Sequence, residues 1–436
     1  MKPHPRIVSA FQNELTDWRL WTGRFVVLAF AAAAGLTIVA FTWLSERALE
    51  AFFHLEAKAW WAPLLWTPLV TGTIVWLTRR FVPGAAGSGI PQVMAVLSSE
   101  AAMAQRSLFV SLKLSISKIL LTAAGLLGGL SLGREGPSVQ IAAGIMRHAH
   151  RWLPDRTHIT EHGLLMAGGA AGIAAAFNTP LGGVMFAIEE LTRKPEQRSN
   201  TLLLGAIVLS GLIAVSVYGN NTYFGVIHVE NLSFAMVVPA LVVALASGVA
   251  GGLFARLMIT SLGGASSDWF SRTRARFPIR FAMACGLTVA ILGIMSGGTA
   301  YGSGYAHTKT MLAGGEEVSH LSVVLRFVST WVTAWSGVPG GLFAPALAIG
   351  AELGNSISAL MAYPNAPTLI ALGMAGFLAA VTQAPLTAFI IVMEMVDGHA
   401  LVLSLMACTL ISSGISRLIS APLYATLAEI QLTRVR

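Results

Sequence analysis

The segment GREGPSVQ, from Gly133 to Gln140, places the carboxylate of Glu135 in a glycine-rich break between apolar stretches. An ionisable residue at membrane depth is costly, so its presence there indicates a function. Glycine-rich breaks that lead into helices leave backbone N–H groups unpaired at the positive end of the helix dipole. Such N-termini bind anions without a full positive charge. Glu135 can therefore fill an anion site when ionised and leave it when protonated, which predicts a proton-sensitive gate.

Two further breaks have the same character, at Gly84–Pro91 (GAAGSGIP) and at Gly337–Pro345. Proline near the start of a helix suits this arrangement, since its missing N–H needs no partner there. Each break alone is also compatible with close packing of small residues between membrane helices. The three together, with the buried Glu135, favour an anion site built from helix N-termini.

Three other charged residues interrupt or end apolar runs. Glu189 and Glu190 are adjacent, and neighbouring residues on an α-helix point about 100° apart. One of them can therefore face a partner helix while the other faces a water-filled vestibule, or both can be interfacial charges at a membrane boundary. Lys118 either extends its ammonium group toward the membrane surface or raises the electrostatic potential along an anion path.

The elements that must position these residues are membrane helices. The chain has 436 residues, of which 55% are hydrophobic and 11% charged, whereas soluble domains average about 25% charged residues. The mean hydropathy is +0.70. Because a span needs about 20 apolar residues, the long uncharged runs predict an all-α polytopic membrane protein with more than ten helical segments, some short, tilted or broken. These runs are Phe25–Leu44, Ala59–Thr78, Gly163–Ile188, Asn231–Ala255, Phe281–Thr308, Phe327–Ala351 and Leu353–Met393.

The net charge of +8 does not indicate a nucleic-acid partner in such a chain. Arginine clusters that flank apolar runs, such as the one at 272–280, are typical of cytoplasmic loops. Residues 1–23 are polar and amphipathic and lack the apolar core of a removable signal peptide. We interpret them as a cytoplasmic surface segment ahead of the first span.

An internal repeat divides the remainder of the chain. The segments 129–137 and 337–345 both read G-x-x-x-G-x-x-x-P, and the segments 180–189 and 385–394 both begin with Pro-Leu and end with Glu. Two matches in the same order predict two related membrane repeats at 24–217 and 234–436, joined by a connecting segment at 218–233, with a short cytoplasmic tail. In transporters such repeats often have opposite orientations, and the substrate binds at their broken helices.

Four of these segments resemble signature motifs of the CLC family of chloride channels and proton/chloride antiporters. They are GSGIP at Gly87–Pro91, GREGP at Gly133–Pro137, GGLFAP at Gly340–Pro345 and PLY at Pro422–Tyr424. The likeness extends over the chain from about Trp21 to Leu427 and is greatest to the bacterial antiporters. It implies a homodimer in the cytoplasmic (inner) membrane with one pore per subunit and both termini cytoplasmic. It also implies chloride and protons as transported ions, with no cofactor or metal and no enzyme activity.

The resemblance also implies a role for individual residues. Glu135 would be the external gate and a proton carrier, and Glu190 the internal proton acceptor. Chloride would be bound by the side chains of Ser88 and Tyr424 and the backbone N–H groups of Leu342 and Phe343. The residues that would line the pore are Lys118, Gly87, Gly89, Arg134, Gly136 and Gly341.

One departure from the family pattern affects the inner proton route. Relatives often carry acidic residues just after GSGIP, whereas this chain has Gln92 and Met94. The preferred hypothesis is a proton-coupled chloride antiporter, and Glu190 favours it over a passive voltage- or pH-gated chloride channel of the same family. A fluoride-selective relative is disfavoured by Ser88. An intramembrane serine protease is disfavoured because no strand precedes the G-x-S-x-G sequence at Gly129–Gly133.

Overall fold

The computed structural model describes residues 18–98, 106–154, 159–191, 201–219, 222–227, 234–264, 268–315 and 319–435. Within these ranges the protein consists of α-helices joined by short turns, so the predicted all-α class is confirmed. The predicted surface segment at 1–23 lies outside the described residues up to residue 17. From Trp18 onward the chain already belongs to the first long helix, which continues without a break beyond Gly23.

Eighteen α-helices occur in the described chain. Those of the first half are α1 (Trp18–Lys58), α2 (Pro63–Phe81), α3 (Ile90–Ser98), α4 (Leu112–Leu127), α5 (Glu135–Ala149), α6 (Glu161–Phe177), α7 (Pro180–Phe186) and α8 (Thr201–Tyr218). Those of the second half are α9 (Val237–Gly263), α10 (Trp269–Arg276), α11 (Pro278–Met295), α12 (Tyr305–Leu312), α13 (His320–Ser336), α14 (Phe343–Leu360), α15 (Ala366–Thr382), α16 (Pro385–Val396), α17 (Val402–Ile419) and α18 (Leu423–Val435).

Six helical segments of the described chain are long and apolar enough to cross a membrane, namely Trp18–Lys58, Arg106–Leu127, Thr201–Tyr218, Phe234–Gly263, Pro278–Met295 and His399–Ile419. Two of the other helices, α6 and α15, lie inside the bundle. Every residue of α6 from Gly163 onward is buried, as is every residue of α15 from Thr368 onward. The apolar runs that are too long for one span are therefore explained by buried central helices that do not face lipid.

Residues with a left-handed backbone divide these long runs. Asn178 ends α6 with φ 58°, and Gln383 ends α15 with φ 59°. Two residues later Pro180 and Pro385 begin α7 and α16, where proline is well suited to the first helical turn. The runs Gly163–Ile188 and Leu353–Met393 are consequently folded back on themselves rather than extended across the bundle.

Equivalent segments of the two predicted repeats contact each other. Helix α5 packs on α14, and α7 packs on α16. Gly133 and Gly341, which match in the repeat, exchange two backbone hydrogen bonds of 2.8 and 2.7 Å. This reciprocity agrees with a two-fold relation between the repeats. The repeat boundaries and their opposite orientation in the membrane stay predictions.

Candidate functional site

The three glycine-rich breaks meet at one junction in the interior of the bundle. Gly87 N–H donates to the Val338 carbonyl at 3.2 Å, and Gly340 N–H donates to the Gly87 carbonyl at 3.1 Å. The hydrogen-bonded pair of Gly133 and Gly341 joins the second break to the third. Since α3, α5 and α14 each begin within one of these breaks, this backbone pairing brings three helix N-termini together.

Glycine is required at the junction because the backbones approach so closely. A Cβ on Gly136 would lie 2.2 Å from Ser88 Oγ and 3.2 Å from the Gly341 Cα. A Cβ on Gly341 would lie 2.8 Å from the Gly136 nitrogen. Gly87 and Gly89 have φ of 72° and 108°, which side chains rarely tolerate. The predicted pore-lining glycines thus set how near the helix N-termini come to one another.

Two buried hydroxyl groups face this junction. Ser88 is 7% exposed and Tyr424, the second residue of α18, is fully buried. Ser88 Oγ and the Tyr424 hydroxyl interact with each other, and neither has a further hydrogen-bond partner among the described residues. A buried hydroxyl with unused hydrogen-bonding capacity costs free energy, so both groups are suited to bind a ligand that carries negative charge.

Leu342 and Phe343 place the N-terminus of α14 beside these hydroxyls. Leu342 is the N-cap and Phe343 the first helical residue, and the first N–H groups of a helix have no partner within it. The Phe343 ring stacks on the Tyr424 ring, with centroids 5.8 Å apart and an interplanar angle of 15°. The four predicted anion-binding residues therefore lie together and bring hydroxyl and N–H donors to one place.

Glu135 is the first residue of α5 and is 1% exposed. Its carboxylate interacts with the Arg134 guanidinium and with backbone N–H groups of Arg134 and Ala344. The Oε2 atom would lie 2.2 Å from a Cβ on Gly133, so Gly133 leaves the room that this carboxylate fills. The side chain thus occupies a position between the N-termini of α5 and α14, as expected for a residue that competes with a bound anion.

A cavity of about 450 Å³ leads from Glu135 to the surface. Arg134 lines this cavity, and its Nη1 donates to Glu46 Oε1 and its Nη2 to the Tyr223 hydroxyl, both at 3.0 Å. No motif in the sequence marks Glu46 or Tyr223 as part of the site. Glu46 follows the uncharged run that ends at Leu44, but nothing in the sequence connects it with Arg134, 88 residues away.

The two adjacent glutamates point in different directions. Glu190 is 1% exposed and interacts electrostatically with Tyr424. Glu189 is half-buried and accepts hydrogen bonds from the backbone N–H groups of Leu386 (3.1 Å) and Thr387 (2.6 Å). Both residues belong to a π-helical turn, Ala187–Leu191, rather than to the α-helix on which the sequence argument relied. The divergence of the two side chains is nevertheless present, and Glu190 is the one near the anion site.

Glu189 has a counterpart in the second repeat. Glu394 accepts hydrogen bonds from the backbone N–H groups of Leu181 (3.2 Å) and Gly182 (2.7 Å), at the start of α7. Each glutamate therefore caps the N-terminus of a helix in the other repeat. Glu189 caps α16, and Glu394 caps α7. This arrangement links the repeats and gives Glu189 a structural role.

Lys118 is fully buried and does not extend to the membrane surface. Its Nζ donates to the carbonyls of Ala85 (2.7 Å) and Gly87 (2.6 Å), directly before Ser88. Gln92 fixes the same loop, because its Nε2 donates to the Ala86 carbonyl at 2.6 Å and its Oε1 accepts from Gly89 N–H at 3.0 Å. The amide of Gln92 thus shapes the Ser88 loop, and the Lys118 ammonium is held by carbonyls.

Comparison with known proteins identifies the architecture. The model of the voltage gated chloride channel family matches residues 70–417. The chain belongs to this family. An H⁺/Cl⁻ exchange transporter ClcA from Klebsiella pneumoniae is 32% identical over 438 residues, covering 94% of this chain and 89% of the relative. The protein of the same name from Salmonella paratyphi A is 31% identical over 92% of this chain and 87% of its own length.

Solved structures show the same fold. A slow cyanobacterial Cl⁻/H⁺ antiporter superimposes with a TM-score of 0.80 at 24% identity, covering 95% of this chain and 98% of the other. A CLC-type fluoride/proton antiporter gives a TM-score of 0.75 at 22% identity, covering 94% and 99%. The resemblance inferred from four motifs is therefore confirmed for the family and the fold. The roles of the individual site residues stay predictions.

Proposed function

We propose that the protein is a proton-coupled chloride antiporter, a secondary active transporter that moves chloride in exchange for protons. One observation carries this proposal: the buried carboxylate of Glu135 lies at the junction of helix N-termini where an anion would bind. A group that competes with the anion when ionised and carries a proton when neutral couples the two ions at one place. Membrane carboxylates in other pumps and transporters act in proton relays in the same way.

The inner half of the pathway separates the two ions. Chloride would pass the hydroxyls of Ser88 and Tyr424, whereas protons would reach Glu135 from Glu190. The burial of Glu190 and its interaction with Tyr424 support this second route. The relatives named as H⁺/Cl⁻ exchange transporters also favour exchange over a passive channel.

We further propose a homodimer in the bacterial inner membrane with one complete pathway per subunit and both termini in the cytoplasm. The face formed by α7, α16 and α17 supports this assembly. It exposes apolar side chains such as Leu181, Ile188 and Leu403, and between them lie the half-buried carboxylates of Glu189 and Glu394. Carboxylates are costly against lipid, so a second copy of the chain is a better cover for this face than acyl chains.

The decisive experiment is a flux assay on protein reconstituted in vesicles, with chloride and pH electrodes read together. An outward chloride gradient, applied without a proton gradient, should drive protons inward and acidify the vesicle interior. A bromide or nitrate gradient tests how specific this response is. Chloride flux without any linked pH change would replace the antiporter by the passive channel.

A further inference from the structure

A basic cavity of about 290 Å³ lies apart from the anion pathway, at the end of the bundle where α5 ends and α4 and α6 begin. Three arginines and two histidines line it, against a single carboxylate. They are Arg106, Arg147, Arg151, His148, His150 and Glu161. The mechanism proposed above uses none of these residues.

The carboxylate in the cavity does not balance the arginines. Glu161 Oε1 accepts from Arg106 Nε at 2.5 Å and from Arg147 Nε at 2.8 Å, so two guanidinium groups share one oxygen. Arg147 Nη1 also donates to the Val110 carbonyl at 2.5 Å, which fixes its orientation. Arg151 has no carboxylate within ion-pair distance in the described part of the chain. Among the described residues the cavity therefore has more guanidinium groups than carboxylates, and two of its three arginines are held in place by hydrogen bonds.

Apolar side chains border the cavity on the lipid-facing side. Leu112 lines the cavity and is 40% exposed, and Ile116 (61%) and Leu120 (59%) follow at intervals of four residues on the same face of α4. This stripe extends about 12 Å along the helix, at 1.5 Å per residue. Trp152, 64% exposed, follows Arg151, and tryptophan is typical of the membrane–water interface.

We propose that this cavity binds the phosphate headgroup of an anionic phospholipid, with an acyl chain along the stripe formed by Leu112, Ile116 and Leu120. Arginine forks match phosphate oxygens and form paired hydrogen bonds with them. Basic pockets between membrane helices are a known form of lipid headgroup site. The apolar stripe that starts at the cavity selects a lipid over free phosphate, because only a lipid fills both parts.

The test is a titration of the detergent-purified protein with dioleoylphosphatidylglycerol or dioleoylphosphatidylcholine, read by native mass spectrometry. The wild type should retain phosphatidylglycerol at least tenfold more strongly than phosphatidylcholine. Arg151→Gln, which breaks no hydrogen bond or ion pair found in the described part of the chain, should weaken phosphatidylglycerol binding about fivefold, and Arg106→Gln with Arg151→Gln roughly 20- to 30-fold. Replacing the exposed Arg80 and Arg280 by glutamine removes the same charge elsewhere. This matched control should leave phosphatidylglycerol binding nearly unchanged.

Two further arms separate the alternatives. Leu112→Ser with Ile116→Ser should weaken the binding of both lipids, because the double variant removes the acyl-chain contact and keeps the arginines. Inorganic phosphate at millimolar concentration should not displace phosphatidylglycerol. Equal retention of the two lipids by the wild type, equal losses in the Arg106/Arg151 and Arg80/Arg280 variants, or full displacement by inorganic phosphate would each overturn the proposal.

Discussion

Glu135 is buried next to two helix N-termini, and its proposed role as a gate depends on its ability to change charge there. Glu135→Gln imitates the protonated acid permanently and cannot release a proton. We expect chloride flux to continue without pH dependence and proton movement to fall below detection in the paired-electrode assay. Glu50→Gln is the matched control, because Glu50 lines the same cavity but is 56% exposed and pairs with Arg47. Proton pumping that persisted in Glu135→Gln would exclude it as the shared gate.

Lys118 holds the loop that presents Ser88. Lys118→Met leaves the Ala85 carbonyl buried without its Lys118 donor, whereas the Gly87 carbonyl keeps the hydrogen bond from Gly340 N–H. An unsatisfied buried acceptor costs about 1–3 kcal/mol, so we expect a loss of about 1–3 kcal/mol in the free energy of unfolding in detergent. Chloride binding, measured by calorimetry, should weaken as well, because Ser88 is displaced.

The control for this variant is Lys113→Met on the exposed start of the same helix, which should leave both stability and chloride affinity unchanged. Equal affinity in Lys118→Met and wild type would show that the Ser88 loop does not depend on Lys118.

Gly136 shows how the helix elements depend on close backbone approach. A methyl group there would meet Ser88 Oγ at 2.2 Å and the Ser88 carbonyl at 2.9 Å, so the Ser88 loop or α5 would have to shift. Gly136→Ala should therefore lower chloride affinity at least tenfold in calorimetry. Gly205→Ala, in α8 where no atom lies within 4 Å, should be neutral or slightly stabilising. A Gly136→Ala protein with normal affinity would place the anion elsewhere.

Glu189 and Glu394 cap helices, whereas Glu190 is proposed to carry protons, and glutamine variants distinguish the two roles. Glu190→Gln should stop proton transport and leave chloride flux running. Glu189→Gln and Glu394→Gln each weaken hydrogen bonds to a helix N-terminus but keep one acceptor oxygen. Both should lose about 1–2 kcal/mol of stability and keep proton coupling. Loss of coupling in Glu189→Gln but not in Glu394→Gln would assign the proton route to Glu189.

The sequence predicted the helix starts well and their tertiary contacts poorly. Glycine and proline at Gly133–Pro137 and Gly337–Pro345 mark helix N-termini through local backbone preferences, and α5 and α14 begin there. The bonds of Arg134 to Glu46 and Tyr223 depend on how distant helices pack, for which no local pattern exists. The change to π-helical geometry at Ala187–Leu191 was missed for the same reason.

At the scale of the whole molecule, one chain contains every group to which the proposed transport cycle assigns a role. Ser88, Glu135, Phe343 and Tyr424 surround one junction, and Glu190 lies near Tyr424 in the same chain. If two subunits assemble through the face of α7, α16 and α17, neither has to complete the other's site. The subunits of a dimer should therefore transport independently.

A tandem dimer of one wild-type and one Glu190→Gln subunit tests this independence. Because chloride flux does not need Glu190, both subunits should carry chloride, whereas only the wild-type subunit should carry protons. We expect proton flux at about half the value of a wild-type tandem, with chloride flux of the same order, in the paired-electrode assay. A tandem of two wild-type subunits is the control for the linker. Proton flux near zero in the mixed tandem would mean that the proton pathway crosses the subunit interface, where Glu189 and Glu394 lie.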